Sequence, residues 1–253
     1  MELPRVERLA GFFFVTLAVL AGYLVTIAPT APFWDASELI ACSYSLGVPH
    51  PPGVPLLVLI GRVFSLIPFS SEIAYRVNFI SSLTAAICAG LVYLILVMVL
   101  ASWREVKTLA EKIATHVSGV TAGLICGYSF TFWFNAVEAE EYAPACLLLI
   151  GTLWLTLCWQ RSYDKPVSKR LLLVIAYLLS LSTGVHLLPL LVFPAILIFV
   201  LAVNWKEVKD WRLVLAVLAF IVLGVTPNLY LLLRSRLDPG INEVSPTTWR
   251  ALW

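Results

Sequence analysis

Long apolar runs, rather than alternating polar and apolar positions, dominate the chain. Uncharged stretches of spanning length cover residues 9–28, 77–103, 113–137, 142–160, 171–205 and 213–233. About 20 apolar residues in a helix cross roughly 30 Å of hydrocarbon. Lipid gives a backbone no outside hydrogen-bond partner, so each run is predicted to be helical. The 171–205 run would make a single helix of ~52 Å at 1.5 Å per residue, too long for one crossing. Gly184 and Pro189 flank His186 near its middle and signal a turn. Divided there, the run gives two short spans. The prediction is an all-α membrane protein, a polytopic bundle of about seven transmembrane helices in a single unit over residues 1–253.

The connection over residues 29–76 is longer than a simple loop and too apolar for disorder. Residues 35–46 and 54–67 read as two short helices lying along or dipping into the membrane surface. The proline-rich turn GVPHPPG at 47–53 separates them.

Composition fits this picture. The chain is 60% hydrophobic and 13% charged, against about a quarter charged for a soluble domain. Nine Trp, nine Tyr and thirteen Phe suit rings placed at lipid–water boundaries. A net charge of +2 gives no reason to expect a nucleic-acid partner. Five cysteines, four of them inside apolar runs, give neither a disulfide framework nor a zinc spacing. Arg5 and Arg8 precede the first run, but its 20 residues exceed a signal-peptide core, so it is read as a retained span.

Loop charges orient the seven-span arrangement. Twelve Lys and Arg fall on the side of the N-terminus and five on the other. This bias places the N-terminus in the cytoplasm. The ratio is the same if 171–205 crosses once, so length and not charge selects seven spans over six.

In this topology the unusual polar residues share the outer side. Asp35, Glu38 and His50 lie in the first outer loop, Glu138, Glu140, Glu141 and Tyr142 in the second, and His186 in the third. Arg234 and Arg236 end the last span on that side. Ionisable groups near lipid are costly, which marks them as functional candidates. Asp35 and Glu38, three apart, share a helix face and offer a general base for a hydroxyl. The same Asp-Ala-Ser-Glu string has the form of a capping box, with Asp35 as N-cap. Three carboxylates in 138–141 raise one another's pKa unless a cation neutralises them, so the corner is either a metal or hydroxyl site or a solvated turn. His50, held between prolines, and His186, interrupting an apolar run, are candidate site residues or hydrogen-bonding ones. Arg234 and Arg236 could simply anchor a helix end, but an arginine fork also suits a phosphate, and on the outer side, where positive charge is scarce, phosphate is the favoured reading. Carboxylates for a hydroxyl and arginines for a phosphate, beside lipid, suggest transfer from a lipid-phosphate-linked donor. The sequence carries no soluble-cofactor motif, and a divalent metal is compatible with the acidic residues.

The strings FWDASELIA (33–41) and LGVPHPPGVP (46–55) resemble the start of the transmembrane protein 260 family. The likeness continues through YRVN (75–78), FTFWFNAVEAEEY (130–142), GVHL (184–187), Leu233-Arg234 and LDPGIN (237–242). The resemblance implies a GT-C glycosyltransferase fold with an active site at the outer or lumenal face. It implies O-mannosyl transfer from a polyprenyl-phosphate sugar to a hydroxyl, with protein Ser/Thr as one acceptor and a glycan as another. Asp35 or Glu38 would be the catalytic carboxylate, while Glu138, Glu140 and Tyr142 match the second acidic motif and His50 and His186 the histidines. The family usually continues with further spans, so the chain reads as truncated relative to it. The rival expectation is a non-catalytic polyprenyl-phosphate scaffold or flippase-like protein. A transporter would need charges at the midplane, and here they gather at one face.

Overall fold

A computed structural model describes residues 3–252. The described residues form helices and turns with no strand, apart from one isolated parallel bridge between Val48 and Asn242. The helices are α1 (Arg5–Thr26), α2 (Asp35–Ser45), α3 (Pro55–Leu66), α4 (Ile73–Trp103), α5 (Leu109–Tyr128), α6 (Phe130–Phe134), α7 (Tyr142–Gln160), α8 (Val167–Leu181), α9 (Phe193–Asn204), α10 (Trp211–Val225), α11 (Leu229–Ser235) and α12 (Trp249–Leu252). Among the described residues, six rods are long and apolar enough to cross a membrane: Arg5–Thr26, Ile73–Trp103, Tyr142–Gln160, Val167–Gly184, Leu188–Lys209 and Trp211–Ser235. The seventh predicted span corresponds to α5 with the short α6. α5 has 20 residues, but Glu111, Lys112 and His116 in its first half keep it below the apolarity of the others. The chain is a multi-pass membrane protein by this measure.

The 171–205 run breaks where glycine and proline flank His186, between Gly184 and Leu188. α9 runs back past α8, which itself packs chiefly against α10 and α7. Ser168 at the start of α8 donates to Glu207 just beyond α9, 3.2 Å away, while Ile175, Leu179, Ile196 and Val200 share one buried cluster with Trp159.

Burial explains the order of packing. α4 is buried along much of its length and forms the axis, with α1, α5 and α7 around it. Small residues permit this closeness. A Cβ on Gly123 of α5 would meet Val15 Cγ1 at 2.7 Å and the Ala89 carbonyl oxygen at 2.8 Å. Tyr23 of α1, fully buried, donates its hydroxyl to the Gly127 carbonyl at 2.6 Å. The outward faces of α1, α5, α9 and α10 expose Phe, Leu, Ile and Val, as lipid-facing helices do.

The bundle has chemically distinct ends. One gathers basic groups: Lys112 pairs with Glu7 at 2.6 Å, Lys169 pairs with Asp210, and Arg161 reaches the end of α4. The other end holds the loops around α2 and the 135–141 turn.

Candidate functional site

The site begins with α2. Its 11 residues run from Asp35 to Ser45, close to the predicted bounds. The predicted capping box does not form. Trp34, not Asp35, is the N-cap, at φ 68°, and no side chain caps the helix. Asp35 and Glu38 therefore sit in the first turn, where the helix dipole favours negative charge. A capping box does form at α5, between Thr108 and Glu111. The string Thr-Leu-Ala-Glu carried that signal.

Glu38 is committed to His50. Its Oε1 accepts the His50 backbone N–H at 2.8 Å, and its Oε2 lies 2.5 Å from His50 Nδ1. Asp35 Oδ2 lies 3.9 Å from the other ring nitrogen, Nε2. The imidazole thus stands between two carboxylates on one face of α2. Its hydrogen bond to Glu38 raises its pKa, and the charges of Glu38, Asp35 and Glu141 add to this against the opposing effect of burial.

The turn that carries His50 is fixed from outside. Val48 N–H donates to the Ile241 carbonyl at 2.8 Å, and the Glu243 N–H donates to the Val48 carbonyl at 2.9 Å. Tyr230 donates its hydroxyl to the Gly47 carbonyl at 2.9 Å. The far end of α2 is held as well. Arg234 Nε donates to the Leu46 carbonyl at 2.6 Å, and Arg62 Nη1 donates at 2.5 Å to the Tyr44 carbonyl. Cations here match the negative pole of the helix.

The second acidic segment is positioned by polar residues of α4. Ser82 donates to the Ala136 carbonyl at 2.6 Å, and the Ser81 hydroxyl lies 3.1 Å from both the N–H and the carbonyl of Glu140. Asn78, fully buried, donates to the Ala28 carbonyl at 2.8 Å. Sequence reasoning passed over these three as part of an uncharged run. Asn78, Ser81 and Ser82 lie within five residues of α4, a spacing that could have flagged a polar patch on a buried helix.

Five carboxylates converge here. Burial pushes Glu140 up to about 8, and the charges of Glu141, Glu138 and Asp35 push the same way. Burial also raises Glu138. The influence of Asp35 on Glu140, and of Glu141 on His50, places the two acidic segments within electrostatic reach of each other. Tyr142 and His186 adjoin the corner with ring centroids 5.5 Å apart, and His186 Nδ1 accepts the Leu188 N–H at 2.9 Å. A groove of about 400 Å³ opens between Tyr142, Asn135, Cys146 and Leu188.

Seven of the nine predicted site residues therefore meet: Asp35, Glu38, His50, Glu138, Glu140, Tyr142 and His186. Arg234 and Arg236 stand apart. Arg234 is at the opposite end of α2, ~15 Å along the helix from Asp35 at 1.5 Å per residue, and Arg236 donates to the Thr247 carbonyl at 3.0 Å.

Asp35, Glu38 and His50 each offer one ligand atom, and these atoms lie within 4.8 Å of one another. Two carboxylate oxygens and an imidazole nitrogen suit a divalent cation. Asp35, half exposed, keeps its oxygens accessible to a hydroxyl, whereas Glu38 does not.

Comparison with known proteins places these residues in a family. The family model described as "Protein O-mannosyl-transferase TMEM260 N-terminal domain" matches residues 35–209. The mouse (Mus musculus) "Protein O-mannosyl-transferase TMEM260" is 28% identical over 239 residues, covering 92% of this chain and 32% of the mouse protein. The Dictyostelium discoideum "Protein O-mannosyl-transferase tmem260" is 25% identical over 233 residues, covering 85% of this chain and 26% of that protein. The chain spans a third or less of the length of these relatives. No solved structure matches it. With the match running from the first carboxylate of the site through the helical hairpin that carries His186, the chain belongs to the TMEM260 protein O-mannosyl-transferase N-terminal domain family.

Proposed function

We propose that this chain carries the acid–base end of a GT-C-type glycosyltransferase that moves mannose from a polyprenyl-phosphate donor to a hydroxyl, with protein Ser/Thr as the acceptor. The observation that carries the reading is the convergence of Asp35, Glu38 and His50 at one end of the bundle. The printed names of the mouse and Dictyostelium relatives support it.

Asp35 is the base. As the acceptor oxygen attacks the anomeric carbon, its proton passes to an Asp35 oxygen. The bond from that carbon to the phosphate oxygen breaks, and the phosphate leaves with the electron pair. Attack opposite the leaving group inverts the anomeric centre. Glu38 is a positioning residue: it holds His50, and His50 holds its ring toward Asp35. Glu140, with a pKa near 8, is largely protonated at neutral pH and can donate a hydrogen bond to a sugar or acceptor oxygen. The groove beside Tyr142 receives the lipid or the acceptor.

A divalent cation held by Asp35, Glu38 and His50 would offset charge on the donor phosphate. This matters because neither Arg234 nor Arg236 reaches the acidic cluster, which leaves the phosphate without an arginine partner there. The active end faces the periplasm, exterior or lumen, and the N-terminus faces the cytoplasm, as the 12 to 5 distribution of Lys and Arg supports. Residues 1–253 act as one transmembrane unit.

The test is transfer of radiolabelled mannose from polyprenyl-phosphate mannose to a Ser/Thr peptide by the purified protein in detergent. Transfer by the wild type, lost in Asp35→Asn, supports the reading. Donor binding without turnover would instead favour a non-catalytic polyprenyl-phosphate scaffold or a flippase.

A further inference from the structure

The basic end of the bundle encloses a second polar cavity, about 310 Å³, between the start of α1 and the ends of α4 and α7. Two guanidinium groups line it, Arg8 from α1 and Arg161 from the C-cap of α7. Arg161 is anchored. Its Nη2 donates to the Met98 carbonyl at 2.7 Å and to Ser102 Oγ at 2.9 Å. Arg8 is not. Its Nε is buried and has no hydrogen-bond partner among the described residues. Neither arginine forms an ion pair with a described residue. Glu105, the acidic group on the wall, is paired with Lys107 at 2.9 Å. Leu3, 5% exposed, adds an apolar wall.

A buried guanidinium nitrogen without a partner, such as Arg8 Nε, is costly, and two cations facing one cavity repel each other. An anion relieves both costs. The planar fork of arginine matches phosphate oxygens, and basic pockets between spans at a cytoplasmic face take anionic lipid headgroups. A cavity of this size has room for the phosphate ester of a lipid headgroup. Helix ends at the lipid boundary put it level with headgroups.

We infer that this cavity is a binding site for a phosphate group, with Arg8 and Arg161 as its ligands, occupied by an anionic phospholipid headgroup. The inference is independent of the chemistry at the acidic end. It explains why α1 carries Arg8 one turn inside its first residue, where lipid would otherwise penalise the charge.

The experiment is thermal unfolding of the purified full chain in detergent, titrated with short-chain phosphatidylglycerol, with phosphatidylcholine of the same chain length, and with inorganic phosphate. Phosphatidylglycerol is expected to raise the Tm, and phosphatidylcholine, whose choline neutralises its phosphate, is not. A matching response to inorganic phosphate would show that the phosphate alone suffices, and a response to phosphatidylglycerol alone would assign the site to lipid. Arg8→Gln removes no side-chain hydrogen bond to a described residue, so it is expected to fold while weakening the apparent affinity about tenfold or more, as losing a charge-assisted hydrogen bond does. Arg8→Lys, which keeps the charge without the fork, should fall between. No Tm response to either anion, an equal response to phosphatidylcholine, or an unchanged response in both variants would overturn the site.

Discussion

Replacing Asp35 by Asn and Glu38 by Gln separates the proposed base from its proposed holder, because the two carboxylates are bound so differently. Asp35 is 54% exposed, and its one close charged contact among the described residues is the 3.9 Å approach to His50. Removing its charge should therefore change stability by under ~1 kcal/mol, the range of exposed ion pairs. As a general base it should supply roughly 10² to 10⁴ in rate, and Asp35→Asn should lose that factor in kcat. Glu38 is 24% exposed and accepts from both the backbone N–H and the ring of His50. A hydrogen bond to a charged group contributes about 1.5–3 kcal/mol when buried. Partial exposure brings the combined loss in Glu38→Gln to about 1–2 kcal/mol, with roughly a tenfold fall in kcat because His50 loses its anchor. The assay is mannosyl transfer with kcat and KM resolved, alongside thermal unfolding of the same preparations. The assignment fails if Asp35→Asn keeps kcat within a factor of about three. It also fails if Glu38→Gln loses more activity than Asp35→Asn without losing stability.

Three further outcomes follow from the same geometry. Glu140 titrates near 8 in the folded chain against an ordinary value of 4.5, so the folded state binds the extra proton and stability should fall as pH rises between these values. His50 acts in the same direction, its contribution being complete below its ordinary value of 6.5 and lost as pH rises through its raised folded value. Denaturation midpoints measured across this window should decline in the wild type and flatten in Glu140→Gln; a wild-type midpoint that rises with pH contradicts the argument. Adding Mn²⁺ should raise the Tm of the wild type and leave His50→Gln unchanged, a difference that differential scanning fluorimetry would read. Gly123→Ala forces a Cβ to 2.8 Å from the Ala89 carbonyl oxygen, so it should destabilise the bundle by about 1–3 kcal/mol, the usual cost of overpacking; a midpoint equal to wild type would mean α5 can back away.

Much of the framework is readable from residue patterns alone. The helical hairpin over 171–205 follows from bilayer thickness and from the glycine and proline beside His186. The two helices of the first loop appear within a residue or so of their expected ends, because Pro55 starts one and the Gly47–Gly53 turn divides them. Pairings between distant segments are not readable this way. No local pattern shows that Glu38 reaches His50 instead of capping α2, since that depends on a turn fixed by residues 241–243 nearly 200 positions later. Arg234 misleads for the same reason. A fork of arginines near a lipid boundary suits a phosphate, yet the carbonyls left over at the end of α2 are nearer. Conversely, Asn78, Ser81 and Ser82 look like tolerated polar residues in an apolar helix until the loops they hold are seen.

α2 is gripped at both poles, by His50 at its acidic start and by Arg62 and Arg234 at its carbonyl end. It therefore behaves as a strut rather than a float on the membrane surface. Arg234 belongs to α11, so the last span and the first loop tilt together. A force that moves α10 and α11, such as a change in bilayer thickness or the docking of an adjoining helix, is delivered to Asp35 through a rod with no slack. The height of the base of the proposed reaction is then tied, through Arg234, to the last span in the sequence.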